Sequence, residues 1–144
     1  MDAYETLNDV LVHLFRDITN LEEKAIVTSE FSDITNNDMH VIQAIGMEEP
    51  KNMSTIAKEL SVTVGTLTIA MNSLVKKGYV TRERGREDRR VVYISLSEKG
   101  QCAYRNHENF HRQMIEAALD GLSPEETEVL TKTLMKLDQW LREF

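Results

Sequence analysis

Cysteine, proline and glycine are scarce in this chain, which has one, two and six of them among 144 residues. The single Cys102 excludes an intrachain disulfide framework. We interpret it as an inert helix residue in a reducing compartment rather than as a redox sensor. No apolar run approaches the ~18 residues that a membrane span needs, and the N-terminus has no basic segment followed by an apolar run. We therefore expect a cytoplasmic protein with no membrane partner.

Motifs of catalysis are missing as well. The sequence has no glycine-rich phosphate loop, no nucleophile elbow and no recognisable pair of catalytic carboxylates. Apolar residues make up 41% of the chain and charged residues 28%, which is typical of one soluble domain with its own core. The sequence therefore predicts a globular protein that is not an enzyme and that carries no cofactor.

Positive charge is concentrated in one segment, although the whole chain has a net charge of −7. Residues 51–100 hold ten Lys and Arg against five acidic residues, a net charge of +5, and the remaining residues are strongly acidic. A basic segment on an acidic body lets one face approach phosphates while the rest is repelled, which favours a nucleic-acid partner. The alternative is a charged hairpin that is merely solvated.

Apolar residues recur at spacings of three and four near both ends of the chain, which predicts amphipathic helices there. One helix would run over residues 3–27, and the last would begin at Ser123 and Pro124, a cap followed by proline at the first helical position. The two apolar stripes consist of Leu7, Val10, Leu11, Leu14, Phe15, Ile18, Leu21 and Ala25, and of Val129, Leu130, Leu134, Leu137 and Leu141. Such helices have little to pack against except each other or a second copy, so we expect a homodimer.

The middle of the chain is typical of a helix-turn-helix followed by a basic hairpin. Capping residues predict helices that begin at Thr35, Ser54, Thr63 and Ser97, and strands are predicted over 79–84 and 90–96 with a tip at 85–89. The predicted fold is mainly α with a small β-wing, a winged helix-turn-helix in a single domain over 1–144. The DNA-binding core would span 35–100, and 1–34 and 101–144 would be dimerisation helices. A dimer places two recognition helices on a pseudo-palindromic operator in double-stranded DNA.

The helix that Thr63 opens would be the recognition helix, because small polar side chains on its outward face can approach base edges closely. Gly65 would let the backbone approach a phosphate. Predicted DNA-contacting residues are Thr63, Gly65, Thr66, Thr68, Asn72 and Lys76 on this helix and Arg84, Arg86, Asp88, Arg89 and Arg90 on the hairpin. A winged-helix module that binds only protein is the alternative, and the arginine-rich tip disfavours it.

Residues 88–100, Asp-Arg-Arg-Val-Val-Tyr-Ile-Ser-Leu-Ser-Glu-Lys-Gly, resemble the wing signature of MarR-type transcriptional regulators, with Ser97 in place of the family's threonine. Residues 60–63 and 74–79 resemble the borders of that family's recognition helix. The resemblance implies that Arg90 inserts into DNA at the wing tip, positioned by Asp88, and a narrow minor groove suits such a guanidinium. A local surface ion pair is the alternative interpretation of these two residues.

Residues 38–40, 60–68 and 110–114 are most similar, within the MarR family, to repressors of fatty-acid biosynthesis genes. Those regulators use long-chain acyl groups on acyl carrier protein as corepressor. The resemblance therefore implies that acyl carrier protein bearing a long acyl chain is a partner of this chain.

Three histidines, His40, His107 and His111, form a second candidate site. His107 and His111 lie one helical turn apart, and with His40 and a carboxylate of Glu22 or Glu23 they could form a tetrahedral zinc site, as in zinc-sensing MarR-type regulators. The structural alternative is that they are hydrogen-bonded packing residues. The same region could instead hold an acyl chain. A MarR-type regulator of another small-molecule effector is a further alternative. The predicted effector-pocket residues are Met39, His40, Ile42, His107, Phe110 and His111.

Overall fold

A computed structural model describes residues 2–144 and contains six helices and three short strands in that range. In chain order these are α1 (Ala3–Val27), α2 (Asn36–Ile45), β1 (Lys51–Asn52), α3 (Met53–Leu60), α4 (Val64–Lys76), β2 (Val80–Arg84), β3 (Val92–Leu96), α5 (Glu98–Leu119) and α6 (Pro124–Arg142). The order confirms the predicted fold class. Within residues 2–144, no helix is both long and apolar enough to cross a membrane.

Reciprocal side-chain caps determine where three helices begin. In α1, α2 and α6 the cap side chain accepts from the backbone N–H three residues on, and an acid at that position accepts from the backbone N–H of the cap. The pairs are Asp2 with Glu5, Thr35 with Asp38, and Ser123 with Glu126. Each pair satisfies two N–H groups that the first helical turn leaves without helical partners. The predicted starts of α2 and α6 are confirmed.

The predicted serine cap at Ser54 is wrong. Asn52 caps α3 instead, because its Oδ1 accepts from the Thr55 N–H at 2.8 Å, and Ser54 lies inside the first turn. An asparagine side chain reaches this N–H as readily as a serine hydroxyl does, so the sequence alone does not separate the two candidates.

The sheet has three antiparallel strands in the order β1-β3-β2. β2 and β3 form the predicted hairpin, although they begin one and two residues later than predicted. The sequence did not predict β1, in which Lys51 pairs with Ile94 and Asn52 with Tyr93. Two residues cannot display an alternating pattern, so only the pairing with β3 identifies this strand.

The core lies among the helices of the helix-turn-helix and the sheet. Its fully buried side chains include Met39, Ile42, Ile45, Ile56, Leu67, Met71, Leu74, Tyr79 and Ile94. Leu67, Met71 and Leu74 occupy the inward face of α4, as their spacing predicts. Burial of this face sets the rotation of α4 about its axis and leaves the opposite face in solvent.

Gly100 lies inside α5 because the helix passes directly over the backbone of Tyr79. A Cβ at position 100 would lie 2.1 Å from the Tyr79 carbonyl oxygen. The same oxygen accepts from the Ser97 N–H at 2.9 Å, and Ser97 Oγ donates to the Gly78 carbonyl at 2.6 Å. The start of α5 is therefore held against the junction between α4 and β2.

The buried Tyr79 also ties the loop after α1 to the sheet. Its hydroxyl donates to Asp33 Oδ1, and the Lys99 ammonium lies 4.3 Å from the centroid of its ring. The hydrogen bond from Tyr79 lowers the pKa of Asp33. The pKa of Tyr79 is raised, mainly because the side chain is buried and secondly because its hydroxyl is hydrogen-bonded to Asp33. Both shifts favour the neutral phenol beside the ionised carboxylate, which is the pairing that the structure contains.

The chain divides into two compact units, residues 2–110 and His111–Phe144. The first contains the helix-turn-helix, the sheet and the core. The second contains the end of α5 and the whole of α6. The division falls inside α5, whereas the sequence placed the border of the DNA-binding core at residue 100.

Candidate nucleic-acid interface

Helix α4 has one buried face and one exposed face. Gly65, Ile69, Asn72 and Lys76 follow one another at spacings of four, three and four, and all four are exposed. These spacings place them along one stripe of the helix, opposite the buried residues. A helix that is anchored on one side and open on the other can enter a DNA major groove.

Two threonines organise the first turn of α4. Thr63 Oγ1 accepts from the Thr66 N–H at 3.1 Å, and its hydroxyl donates to Thr66 Oγ1 at 3.0 Å. The predicted cap at Thr63 is confirmed, and both side chains are exposed. Thr68 differs, because its hydroxyl donates to the Val64 carbonyl at 2.7 Å. The Thr68 hydroxyl therefore has its proton engaged within the helix and can only accept from an outside group.

Gly65 occupies open space at the start of α4. A Cβ at this position would have Thr63 Oγ1, 3.9 Å away, as its nearest neighbour among the described residues. The fold therefore does not require glycine here. Close approach of another molecule to the exposed backbone N–H groups would require it.

A tight turn shapes the wing tip, residues 85–89. The Gly85 N–H donates to the Val91 carbonyl at 2.8 Å, and the Val91 N–H donates to the Asp88 carbonyl at 3.2 Å. A Cβ at Gly85 would lie 2.6 Å from the Asp88 carbonyl oxygen, so the turn closes only around glycine. The exposed cations on and beside this turn are Arg84, Arg86, Arg89 and Arg90.

Asp88 holds Arg90 through three hydrogen bonds. Its Oδ1 accepts from the Arg90 backbone N–H at 3.0 Å and from Nε at 3.2 Å, and its Oδ2 accepts from Nη2 at 3.2 Å. The hydrogen bonds from the Arg90 side chain and backbone lower the pKa of Asp88. The Arg90 side chain is nevertheless 91% exposed. The guanidinium thus has a restrained orientation and free donors, as the sequence predicts for these two residues.

Arg82 was not among the predicted site residues. It lies on β2, and its Nη1 donates to Asn72 Oδ1 on α4 at 2.6 Å. The bond joins the exposed face of α4 to the wing, and both side chains remain exposed. The only signal in the sequence is another arginine in the basic segment, because the ten-residue separation does not indicate contact.

Comparison with known proteins identifies this arrangement. The family model described as MarR family matches residues 34–92, which run from just before α2 into β3. Streptococcus pneumoniae FabT, solved in complex with DNA, is 40% identical to this chain, with 97% of this chain and 98% of FabT covered and a TM-score of 0.89. The chain belongs to the MarR family.

Other MarR-type proteins share the fold at lower identity or over shorter segments. A MarR family protein from Bacillus stearothermophilus is 20% identical, with 99% of each chain covered and a TM-score of 0.77. The transcriptional regulator SarZ from Staphylococcus saprophyticus is 38% identical over 83 residues, which are 58% of this chain and 57% of SarZ. The match thus spans little more than half of SarZ. Relatives that are transcriptional regulators confirm that this MarR-family chain is not an enzyme.

The buried carboxylate of Glu22 on α1 lies near two of the predicted histidines of this MarR-family protein. Its Oε2 is 4.0 Å from His40 Nε2, and Glu22 and His107 have potential ligand atoms within 4.8 Å of each other. His107 is buried, whereas the His40 side chain is 52% exposed. His111 follows His107 by one turn of α5. The alternative carboxylate, Glu23, is exposed.

The apolar residues predicted to line the effector pocket are buried or half-buried, unlike the exposed His40. Met39 and Ile42 are 1% and 0% exposed and belong to the core, and Phe110 is half-buried on α5. A cavity of about 290 Å³ lies between the end of α1 and the start of α2. Its lining residues are Glu23, Ile26, Val27, Ile34, Thr35 and Asn36.

Proposed function

We propose that this MarR-family protein is a repressor of fatty-acid biosynthesis genes that binds a pseudo-palindromic operator as a homodimer. The observation that carries DNA binding is the pairing of two exposed elements in one compact unit: the outward stripe of α4 and the arginine-rich wing with Arg90 held by Asp88. The first can read base edges and the second can neutralise phosphates. The 40% identity to FabT, itself solved with DNA, supports the same role here.

Exposed apolar side chains on the two terminal helices support the homodimer. On α1 they include Leu7, Val10, Leu11, Leu14 and Phe15, and on α6 they include Val129, Leu134, Trp140 and Leu141. No residue of α6 is buried within the single chain. Exposed apolar stripes of this length mark contact surfaces, and a second copy offers the same stripes by symmetry.

We expect the protein to sediment as a dimer at micromolar concentration. Leu11→Glu should lower the dimer fraction, because it buries a charge without a partner in an apolar contact. Ile69→Glu is the matched control, since Ile69 is 76% exposed and lies on α4 outside both stripes. Analytical ultracentrifugation measures the dimer fraction of the wild type and of both variants. A wild-type monomer at micromolar concentration would contradict the proposed assembly.

Long-chain acyl groups on acyl carrier protein are the proposed corepressor. The support is the resemblance to the fatty-acid repressors together with the apolar side of the cavity between α1 and α2, where Ile26, Val27 and Ile34 contribute to the lining. A ligand bound there would favour the dimer geometry in which the spacing of the two recognition helices matches the half-sites. Coupling of this kind is typically ~1–3 kcal/mol, or roughly 5–150-fold in affinity.

The experiment begins with a duplex that the wild-type protein selects from a random DNA library. Fluorescence anisotropy then measures its dissociation constant with oleoyl-acyl carrier protein, with a short-chain acyl form and with the unacylated carrier. We expect tighter binding with the oleoyl form alone. An unchanged dissociation constant would refute the corepressor and leave DNA binding intact, whereas failure to select any duplex would refute the DNA-binding function.

A zinc-responsive regulator is the second candidate function, and the neighbourhood of Glu22, His40 and His107 favours it. Imidazole nitrogens and a carboxylate are ligands that zinc accepts, and His111 offers a further nitrogen one turn along α5.

If the protein is zinc-responsive, its affinity for DNA should change with the concentration of buffered free zinc. The combined substitution of His107→Ala and His111→Ala should abolish that response. His13→Ala on α1 is the control, and thermal unfolding checks that the double variant folds. A zinc response without an effect of acylated carrier would favour this candidate over the first.

A further inference from the structure

The hydrogen bond between Arg82 and Asn72 determines which way the Asn72 side-chain amide points. Arg82 Nη1 donates to Asn72 Oδ1 at 2.6 Å. A guanidinium has only donors, whereas an amide side chain has one acceptor oxygen and one donor NH₂ group. The oxygen must therefore face Arg82, so this orientation follows from chemistry and not from a choice between two similar amide rotamers.

The backbones on either side of this bond are both anchored. Met71 and Leu74, which flank Asn72 on α4, are 0% exposed. Arg82 is paired across the sheet with Ile94, which is also 0% exposed. The two exposed side chains thus rise from rigid elements, and a rigid support is what a base-reading side chain needs.

We propose that Arg82 is a positioning residue that makes Asn72 a donor-only reader of base edges in the major groove. An unrestrained asparagine pairs with adenine, where its oxygen accepts from N6 and its NH₂ donates to N7. Here the oxygen already accepts from a charged donor, so the NH₂ group faces the groove. Guanine matches that group, because its N7 and O6 are both acceptors. The proposal rests on the DNA-binding function proposed above.

Arg82 itself keeps donors for DNA, because the bond to Asn72 uses one N–H of the guanidinium's five. Replacing it therefore removes a cation as well as the restraint on Asn72. A variant that removes a cation alone is needed for comparison. Arg84 provides it, since Arg84 is exposed two residues further along β2 and points to the same side of the strand.

The experiment is selection from a random duplex library followed by sequencing, carried out with the wild-type protein and with variants. Asn72→Ala should lose its base preference at one position of each half-site. That position is the one that Asn72 reads. At that position we expect guanine for the wild type and for Arg82→Lys, whose ammonium can still donate. Arg82→Met should shift the ratio of guanine to adenine about tenfold toward adenine, the lower part of the range for one base contact. Arg84→Met should weaken binding without changing this ratio.

A second variant tests the same idea without removing Arg82. Asn72→Asp keeps the acceptor for Arg82 but has no donor, so guanine should be lost at that position. A base preference that is unchanged from the wild type in either Arg82→Met or Asn72→Asp would overturn the proposal. Thermal unfolding of each variant checks the fold, and if Arg82→Met does not fold, a retained preference for guanine in Asn72→Asp would still overturn the proposal. A wild-type protein that enriches no sequence would instead refute the DNA-binding function itself.

Discussion

Arg90→Ala is expected to weaken operator binding by ~1–3 kcal/mol, roughly 5–150-fold in the dissociation constant. The Arg90 side chain is 91% exposed and is oriented by Asp88 through both its Nε and its Nη2 atoms. A restrained guanidinium loses little entropy when it meets the narrow, strongly negative minor groove. The slope of log affinity against log salt should also become shallower by about one, because one fewer cation displaces counterions.

Arg142→Ala is the matched control for this prediction. Arg142 also pairs with an aspartate, since its Nε donates to Asp138 Oδ2 at 2.9 Å on α6. It lies outside the wing and outside the apolar stripe of α6, and its side chain is 79% exposed, so its loss should leave both the dimer and the operator affinity nearly unchanged. Fluorescence anisotropy over a series of salt concentrations measures the dissociation constant of each variant for the operator. Equal affinities of the wild type and Arg90→Ala at moderate salt would reduce the Asp88–Arg90 pair to a local surface interaction.

Gly100→Ala is expected to destabilise the fold by about 3 kcal/mol, a large effect for one methyl group. The new Cβ would lie 2.1 Å from the Tyr79 carbonyl oxygen, which is backbone and cannot rotate away. The start of α5 must then move off the junction between α4 and β2, with loss of the hydrogen bond from the Ser97 N–H to that oxygen. Alanine's better helix propensity offsets only about 1 kcal/mol. Denaturant unfolding, monitored by circular dichroism, measures the change in the free energy of unfolding.

Gly65→Ala is the control, because it makes the same substitution at a helical glycine with open space around it. Its Cβ would approach nothing closer than 3.9 Å among the described residues, so stability should rise by up to about 0.5 kcal/mol. Operator affinity should fall, since the methyl group projects where a phosphate would approach the α4 backbone. Similar stability losses in both variants would show that the Tyr79 contact does not explain Gly100.

Signals that act within a few residues could be predicted well. The caps at Thr35, Thr63 and Ser123 can be predicted because a cap side chain bonds to a backbone N–H three residues away, and the sequence displays that spacing directly. The predicted cap at Ser54 is wrong for the same reason, since Asn52 satisfies the same local rule. The wing residues Asp88 and Arg90 are two positions apart, so the sequence also predicts their pairing.

The sequence by itself determined the helices, the hairpin, the basic segment and therefore the winged helix-turn-helix class, because each depends on local spacing and composition. Tertiary structure alone decided the contacts between distant elements: Arg82 with Asn72, Glu22 with His40, and Gly100 against Tyr79. Local spacing cannot reveal these pairs, because the packing of whole helices and strands around a shared core brings them together. For that reason the sequence could predict that the protein reads DNA, whereas the orientation of a base-reading amide depends on the fold.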